Sequence, residues 1–321
     1  MYYGIDIGGT KIAFAVFNEQ GQEQARFVEP TPNITYEAFL SLLTEWITQA
    51  DQRWQRHGQI GIGFPGIQDK HGRLLAPNIA VIHEQNVQQD LQQRLGRRIQ
   101  ADNDANCFLL SEYHGGSAAG YELALALTLG TGIGGALIHN GQLVNSLRGG
   151  SGEFGHGTIN ACLLARNPQL PLFRCGCGLQ GCLETYVSGT GLARLYQYVL
   201  QTSLDTSVRL SGLNGDVLNV SEPTGPAIIR AWQQGNANAC KAVSLYCDIL
   251  AAGLGTLMTQ LAPDVIVLGG GVSEEAWLYQ ELTNRIPAYL MRNVTPAAIL
   301  PPVFGGSGGV RGAALLAKCA L

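Results

Sequence analysis

One short segment of the chain concentrates acidic and amide side chains. Asp102, Asn103, Asp104 and Asn106 lie within five residues, directly after the strand-like stretch 98–101. Phosphoryl transfer to an alcohol needs a carboxylate near the acceptor hydroxyl, while positioning and electrostatics supply the rest of the catalysis. This segment therefore predicts a carboxylate base with amide neighbours that hold a polyol. A helix cap rich in Asp and Asn explains the same residue types equally well.

A second segment has the residue types that bind zinc, which in structural sites takes four tetrahedral ligands of sulfur or nitrogen type. Cys175, Cys177 and Cys182 have the spacing C-x-C-x4-C and are separated by glycines, so that their thiols can converge on one point. We expect His156 to be the fourth ligand. Two weaker candidates for that position are His114 and Cys162. The alternative is a group of buried free thiols, because cysteine is often buried.

Two turns are rich in glycine, and each lies between two apolar, strand-like stretches. Glycines in such turns let backbone N–H groups approach an anion closely. The first turn comprises Asp6, Gly8, Gly9, Thr10 and Lys11, the second comprises Gly130, Thr131 and Gly132, and a third glycine-lined edge comprises Gly269, Gly270 and Gly271. Asp6 could hold a hydrated Mg²⁺, while Thr10 and Lys11 could donate to phosphate oxygens. Three such edges around one cleft predict a site for the phosphates and base of a nucleotide.

The elements around the two turns follow the same order of strand, glycine turn and strand. This order occurs at residues 2–17 and again at residues 123–138. A repeated supersecondary unit predicts two similarly built lobes, although two ordinary β-hairpins would give the same pattern. Strands and helices alternate along the rest of the chain, which favours an α/β architecture. The stretches concerned are helical patterns at 36–57 and 240–261, strand patterns at 60–64 and 264–268, and a polar surface loop at 203–225.

Composition limits the class of protein. The 321 residues suggest about two domains, at roughly 100–200 residues each. Hydrophobic residues make up 46% and charged residues 14%, which argues against intrinsic disorder. The net charge of −4 gives no basic surface for nucleic acid. The sequence shows neither a signal-peptide pattern nor an uninterrupted apolar stretch of about 18 residues, so we expect a cytoplasmic protein that binds no membrane.

Taken together, these motifs resemble those of the ROK family of sugar kinases and repressors. The two glycine turns look like the family's two phosphate loops, and residues 103–106 are similar to its catalytic segment. Residues 153–156, with the sequence EFGH, and residues 175–184, with the sequence CGCGLQGCLE, are similar to its sugar and zinc signatures. The resemblance extends over residues 2–316. The stretch 160–172 is expected to be an inserted loop, because the spacing before the first cysteine is shorter in many members of the family.

The resemblance implies a two-lobed α/β fold of the actin-like, hexokinase-like (ribonuclease H-like) ATPase class, with ATP in a central cleft. The smaller α/β lobe would comprise residues 1–117 and 305–321 and would contain the first phosphate loop and the catalytic aspartate. The larger α/β lobe would comprise residues 118–304 and would contain the second phosphate loop, the zinc site and a dimer contact. The family implies a homodimer, with which the apolar pattern at 240–261 is compatible.

The resemblance also implies a reaction. This is ATP-dependent phosphorylation of the 6-hydroxyl of N-acetyl-D-glucosamine, with Mg²⁺ accompanying the nucleotide and Zn²⁺ in a structural role. Residues 1–4, 102–107 and 184–189 favour this sugar within the family. Asp104 would be the general base that takes the proton from the 6-hydroxyl, and Asn103 would hold neighbouring hydroxyls.

Further sugar contacts are implied on both sides of the zinc signature. Other sugar hydroxyls would be bound by Glu153, His156 and Glu184, and weaker candidates near the 2-acetamido group are Gly66 and Asn78. His156 would have one ring nitrogen on zinc and the other towards the sugar, so that the metal fixes the orientation of the imidazole. Zinc would then shape the sugar pocket without touching phosphate.

Three alternatives stand beside this interpretation. A kinase of the same family acting on N-acetylmannosamine or glucose would share these motifs, because a 2-epimer differs by one small displacement. A ROK repressor would need an N-terminal helix-turn-helix segment, for which a first strand starting at residue 2 leaves no room. A non-catalytic sugar sensor is disfavoured by the presence of Asp104 and of both phosphate turns.

Overall fold

The computed structural model describes residues 1–32, 35–144, 152–207 and 224–319. The strands are β1 (Tyr2–Ile7), β2 (Lys11–Phe17), β3 (Glu23–Pro30), β4 (Gln59–Phe64), β5 (Ile67–Gln68), β6 (Leu74–Leu75), β7 (Ile99–Asn103), β8 (Leu123–Leu129), β9 (Ile133–His139), β10 (Gln142–Leu143), β11 (Val265–Gly269) and β12 (Ala298–Leu300). The helices are α1 (Tyr36–Trp54), α2 (Val87–Leu95), α3 (Asp104–Tyr113), α4 (Ala161–Arg166), α5 (Glu184–Val187), α6 (Gly189–Ser207), α7 (Gly225–Gln233), α8 (Ala237–Leu261), α9 (Ala276–Arg285) and α10 (Gly308–Cys319).

Two five-stranded sheets have the same strand order. The first sheet is ordered β3-β2-β1-β4-β7, and the second is ordered β10-β9-β8-β11-β12. In each sheet the two strands around the glycine turn are antiparallel, and the strand on the other side of that hairpin, β4 or β11, runs parallel to its neighbour. The predicted internal repeat and the α/β class are therefore confirmed, because each hairpin belongs to a complete sheet of the same topology.

The first sheet packs against α1 through large apolar side chains. The Phe14 ring of β2 lies 6.0 Å from the Trp46 ring of α1, centroid to centroid. The helix begins after Thr35, whose hydroxyl accepts a hydrogen bond from Ala38 N at 3.1 Å. It ends at Trp54, three residues before the predicted end, because Gln55 adopts the left-handed conformation with φ 51° and closes the last turn.

The C-terminal helix α10 packs so closely on the first sheet and on α3 that their backbones are in contact. A Cβ atom on Gly4 of β1 would lie 1.9 Å from the Val310 carbonyl oxygen, and one on Gly61 of β4 would lie 1.8 Å from that of Ala313. A Cβ on Gly312 of α10 would lie 1.7 Å from the Cys107 carbonyl oxygen of α3. Glycines at these positions therefore let α10 approach both β1 and β4. This accounts for part of the high glycine content.

The long helix α8 lies in the core beside the second sheet. By length and composition it could cross a membrane, since an 18-residue window has mean hydropathy 1.4, but 72% of that window is buried inside the protein. The Tyr246 hydroxyl of α8 is fully buried and donates to the Val187 carbonyl oxygen at 2.9 Å. The apolar pattern predicted at 240–261 is thus a core helix. It begins at Ala237, because the Asn236 side chain caps it by accepting from Ala239 N at 2.9 Å.

Two predicted loops contain helix. The prediction of a surface loop at 203–225 is wrong at both ends, because α6 continues to Ser207 and α7 starts at Gly225. Residues 208–223 lie outside the described residues. Pro226 at the start of α7 explains that boundary, since its fixed φ suits the first helical turn. The expected inserted loop at 160–172 contains α4, which the Asn160 side chain caps by accepting from Cys162 N at 2.8 Å.

Candidate active site

The C-terminal ends of β1, β4 and β7 bring polar groups to one edge of the first sheet. These strands are parallel neighbours, and Asp6, Gly63 and Asp102 occupy successive paired positions across them. Helix α3 begins directly after β7, so that Asp104 lies in its first turn. In open α/β sheets, ligands bind outside the carboxyl ends of the strands. The sequence-predicted Asp6, Asn103 and Asp104 therefore meet at the edge where a ligand is expected.

Asn103 joins the start of α3 to the turn after β4. Its Oδ1 accepts a hydrogen bond from Ala105 N at 2.9 Å, and its Nδ2 donates to the Gly66 carbonyl oxygen at 3.0 Å. Gly66 has φ +97°, and a Cβ there would lie 2.2 Å from the Leu75 carbonyl oxygen, so this turn accepts only glycine. The helix-cap interpretation is thus correct for Asn103, while the acidic residue of the first turn is Asp104.

The first glycine turn is held from outside by Thr31. The Gly8 amide donates to the Lys11 carbonyl oxygen at 2.9 Å, and the Thr31 hydroxyl donates to the Gly8 carbonyl oxygen at 2.6 Å. Gly9, Thr10 and Lys11 are exposed. The exposed Asn78 lies beside this turn, with its carbonyl oxygen 3.8 Å from the place of a Cβ on Gly9. The turn therefore presents its tip beside the loop that contains Asn78.

Burial raises the pKa values of three carboxyl groups in this region, and repulsion from neighbouring carboxylates adds to two of these shifts. Burial, and then the charge of Asp104, raises the pKa of Asp6 to about 6. Burial also raises the pKa of Asp104. Burial raises the pKa of Glu153 as well, and the charges of Glu184 and Asp104 add to this shift. Shifts of this origin are typical of functional sites, and the concentrated negative charge favours cations and hydroxyl donors.

The second glycine turn lies against the start of α3. A Cβ on Gly134 would lie 3.2 Å from the Ala105 Cβ, so the two sheets meet close to Asp104. Within the turn, the Gly130 amide donates to the Gly132 carbonyl oxygen at 3.0 Å. Thr131 at the tip is exposed. The turn therefore faces the same region as the acidic groups.

The third glycine-lined edge packs against the strand that leads into the second turn. Gly270 has φ +84°, and a Cβ there would lie 2.5 Å from the Leu129 carbonyl oxygen. A Cβ on Gly269 would lie 2.7 Å from the Phe108 ring of α3. Gly271 begins a short 3-10 turn that ends at Glu274. The three predicted glycines are thus adjacent to the second turn.

The predicted zinc ligands converge. The ligand atoms of His156, Cys175, Cys177 and Cys182 all lie within 4.8 Å of one another. His156 Nδ1 is 3.5 Å from Cys175 Sγ, and Cys177 Sγ is 3.6 Å from Cys182 Sγ. Around a tetrahedral zinc with Zn–S bonds of about 2.3 Å, neighbouring sulfurs lie about 3.8 Å apart. The four residues therefore fit a closed, structural zinc site.

The weaker candidates for the fourth zinc ligand lie elsewhere. His114 Nε2 is 3.9 Å from Cys319 Sγ at the end of α10. Cys162 is exposed on α4. His156 instead directs Nδ1 towards Cys175 and Nε2 towards Glu153, whose Oε2 is 3.4 Å away. One ring nitrogen thus faces the thiols and the other faces the acidic region, which is the arrangement predicted for a metal-oriented imidazole.

Glu184 links the cysteine cluster to the second turn. Its Oε2 accepts a hydrogen bond from Ile133 N at 3.0 Å, and its Oε1 lies 3.4 Å from Cys175 Sγ. A Cβ on Gly132 would lie 2.4 Å from Oε2, so this glycine makes room for the carboxylate. Just beyond α5, the Gly189 amide donates to the Gly130 carbonyl oxygen at 2.7 Å. The segment after the cysteines therefore also supports the turn.

Two further residues of this region were not predicted. Gly309, at the start of α10, lies so close to Asp6 that a Cβ there would be 2.4 Å from Oδ2. The glycine run at 305–309 was the available signal for it. The positive charge of Arg26 on β3, after that of Lys11, offsets part of the rise in the pKa of Asp6. The sequence around Arg26 gives no signal, because its proximity depends on the pairing of β3 with β2.

Comparisons with known proteins agree on one family. The sequence model of the ROK family matches residues 2–320. The N-acetyl-D-glucosamine kinase of Histophilus somni (strain 129Pt) is 39% identical over 319 residues, which cover 98% of each chain. The structure of a ROK hexokinase from Thermus thermophilus superposes with a TM-score of 0.81 at 31% identity, covering 99% of this chain and 98% of that one. A ROK family glucokinase from Streptomyces griseus, in complex with glucose and AMPPNP, gives a TM-score of 0.75 at 31% identity over 99% of each chain. These neighbours confirm the predicted actin-like, hexokinase-like fold.

Proposed function

Because the chain belongs to the ROK family, we propose that it is an ATP-dependent kinase for the 6-hydroxyl of N-acetyl-D-glucosamine, giving N-acetyl-D-glucosamine 6-phosphate and ADP. The observation that carries this proposal is the position of Asp104. Its carboxylate lies at the start of α3, where the Asp6 edge of the first sheet, the second glycine turn and Glu153 meet. The similarity to N-acetyl-D-glucosamine kinases at 39% identity supports this choice of sugar.

In the proposed reaction, Asp104 takes the proton of the sugar 6-hydroxyl. The 6-oxygen forms a bond to the γ-phosphorus of ATP, while the bond from that phosphorus to the β,γ-bridging oxygen breaks and its electron pair leaves with ADP. The proton passes to the Asp104 carboxylate. A positioned general base contributes about 10²- to 10⁴-fold to the rate. In-line geometry and charge stabilisation supply the rest.

We assign the sugar contacts to residues around Asp104. Asn103 and Gly66, joined by their hydrogen bond, would lie on one side, with Asn78 in the neighbouring loop towards the 2-acetamido group. Other hydroxyls would be bound by Glu153, His156 and Glu184. A zinc-bound Cys175 thiolate has no proton to donate to Glu184 Oε1, so that oxygen would be available to a sugar hydroxyl once the metal is in place.

The phosphates of ATP would lie between the glycine turns. Backbone N–H groups of both turns, with the exposed Thr10, Lys11 and Thr131, supply donors for phosphate oxygens. The glycines at 269–271 would leave room for the rest of the nucleotide. Mg²⁺ bound with ATP would neutralise charge that develops on the phosphates. Asp6 fits such a cation, because it is a carboxylate in a negatively charged and partly buried position, where a bound cation would relieve the repulsion from Asp104.

Zn²⁺ would have a structural role in the proposed enzyme. Held by His156, Cys175, Cys177 and Cys182, it would fix the His156 ring and the segment that leads to Glu184.

The lobes would be residues 1–117 with 305–321 and residues 118–304. The contacts of α10 with β1 and β4 support that division. We further propose that the protein is cytoplasmic and that it forms a homodimer, the latter as the family resemblance suggests.

A sugar panel tests the proposed function. ADP release would be measured with Mg²⁺, ATP and each of N-acetylglucosamine, N-acetylmannosamine, glucose, mannose and fructose. We expect kcat/KM to favour N-acetylglucosamine by 10²-fold or more, equivalent to about 2.7 kcal/mol of transition-state discrimination. Preference for N-acetylmannosamine or glucose would keep the kinase mechanism and overturn the substrate. No turnover with any sugar, in folded and zinc-loaded protein, would overturn the proposed activity.

A further inference from the structure

A fully buried carboxylate lies at the far end of the helix that starts with Asp104. Glu112 is 0% exposed. Its Oε2 accepts hydrogen bonds from Ser117 N at 2.9 Å and from Val303 N at 3.0 Å. Its Oε1 accepts one from Phe304 N at 2.9 Å. A single side chain is therefore bonded to two stretches of backbone that are distant in sequence.

Among the described residues, these two stretches are the places where the chain crosses between the sheets. The first crossing runs from the end of α3 at Tyr113 to the start of β8 at Leu123 and contains Ser117. The second runs from the end of β12 at Leu300 to the start of α10 at Gly308 and contains Val303 and Phe304. Any rotation of one sheet relative to the other must pass through both crossings. Glu112 therefore ties together the two points about which such a rotation would occur.

Other contacts strengthen this junction. The Ser117 hydroxyl donates to the Pro301 carbonyl oxygen at 2.5 Å, which joins the two crossings directly. The Arg311 guanidinium of α10 donates to the Ser111 carbonyl oxygen at 2.7 Å and lies 4.0 Å above the Phe304 ring. A Cβ on Gly116 would lie 2.2 Å from Glu112 Oε2, so the first crossing passes as close as glycine allows.

The chemistry of the junction requires a carboxylate. Burial of a charge is unfavourable unless hydrogen bonds replace its hydration, and here backbone N–H groups do so. A glutamine side chain has one oxygen and one NH2 group, so it would turn its NH2 group towards at least one of the three N–H donors.

We propose that Glu112 is a positioning residue that pins the two crossings to each other, so that the sheets close over the sugar by rotation about one fixed axis. The inference rests on the proposed function, because a kinase whose sheets close over the sugar would keep water away from ATP. Asp104 and Glu112 are eight residues apart on α3, which is about 12 Å along a helix that rises 1.5 Å per residue. A loosened pin would therefore misplace the base relative to the second glycine turn.

The test compares Glu112→Gln with Glu122→Gln. Glu122 is an exposed residue of the same crossing, and its carboxylate is 3.6 Å from His139 Nε2. Three quantities would be measured: the change in radius of gyration on adding N-acetylglucosamine, the ratio of sugar-free ATP hydrolysis to sugar phosphorylation, and Tm. For E112Q we expect loss of the sugar-dependent change in radius, a raised hydrolysis ratio and kcat/KM lowered about 10- to 100-fold. For E122Q we expect wild-type values.

The outcomes separate the pin from a purely structural role. A lower Tm in E112Q, with an unchanged sugar-dependent radius and hydrolysis ratio, would overturn the proposal. A wild-type radius that does not respond to sugar would also overturn it. If E112Q does not fold, Ser117→Ala takes its place, because it removes only the Ser117–Pro301 hydrogen bond. This variant should change the same three quantities in the same direction by a smaller factor. Wild-type values for S117A would refute the proposal. Failure of the proposed function is distinct, because the wild-type protein itself would then phosphorylate no sugar.

Discussion

Replacing Asp6 by asparagine should stabilise the protein at neutral pH while removing its activity. Burial, and then the charge of Asp104, raises the pKa of Asp6 from 3.8 to about 6. The unfolded carboxyl group ionises at the lower pH and the folded one at the higher pH. Between these values the folded state binds more protons, so the free energy of unfolding falls as the pH rises through this window.

The magnitude follows from the two pKa values. At about 1.4 kcal/mol per pH unit, the difference between 3.8 and about 6 corresponds to up to about 3 kcal/mol lost by the wild type above pH 6. The asparagine of the variant carries no charge in either state and loses nothing in this window. D6N should therefore be more stable than the wild type by up to about 3 kcal/mol at pH 8 and by less than about 1 kcal/mol at pH 4.

Urea unfolding of the apoprotein at pH 4 and pH 8, in buffer without Mg²⁺, measures this difference. Glu37→Gln is the matched control. The pKa of Glu37, an exposed carboxyl group, is shifted in the opposite direction, because a hydrogen bond from Arg94 lowers it. That variant should gain no stability at pH 8. The reasoning is refuted if D6N is no more stable than the wild type at pH 8, or if its gain is the same at both pH values. Phosphorylation by D6N should be abolished.

Three other substitutions test the site. Asp104→Asn should lower kcat by about 10²- to 10⁴-fold with little change in sugar affinity. As the pH is lowered, kcat/KM of the wild type should begin to fall at a higher pH than it would with an ordinary aspartate, because burial raises the pKa of this base. Cys177→Ser should lose zinc and Tm, measured by elemental analysis and thermal unfolding, while Cys162→Ser, outside the cluster, should keep both. Gly66→Ala should lose about 3 kcal/mol and raise the sugar KM, whereas Gly21→Ala, with positive φ but nothing within 4 Å, should lose only about 1 kcal/mol.

These three expectations can each fail. Near-normal turnover of D104N would remove Asp104 from the mechanism. Full zinc content in C177S would remove this cysteine from the metal site. Equal stability losses in G66A and G21A would show that the close approach of Leu75 to Gly66 has no energetic consequence.

The parts of the site that could be predicted from sequence depend on short spacing. The two hairpins around the glycine turns and the C-x-C-x4-C group are local patterns, so their geometry follows from neighbouring residues. The choice of His156 over His114 as the partner of the thiols came from the motif around it, and the two lobes came from the repeated hairpin. The family resemblance implied both, and the observed geometry agrees with them.

The remaining features depend on contacts between distant segments. Gly309 lies next to Asp6 only because α10 packs on the first sheet. Glu112 looks like an ordinary helical glutamate until the two crossings are seen to donate to it. The extent of α6 was missed because polar residues near its end outweighed the apolar spacing of its buried face, which includes Leu192, Leu195 and Tyr196. Burial and partner identity decide such features, and neither can be read from local sequence.

The position of the phosphate on the product tests the central claim most directly. Wild-type protein, shown to be folded and zinc-loaded, would be incubated with ATP, Mg²⁺ and N-acetylglucosamine, and the product examined by phosphorus–proton correlation NMR. The account predicts one sugar phosphate, coupled to the protons of carbon 6 and formed in equal amount to ADP. A phosphate on another hydroxyl, or ADP formed without any sugar phosphate, would contradict it.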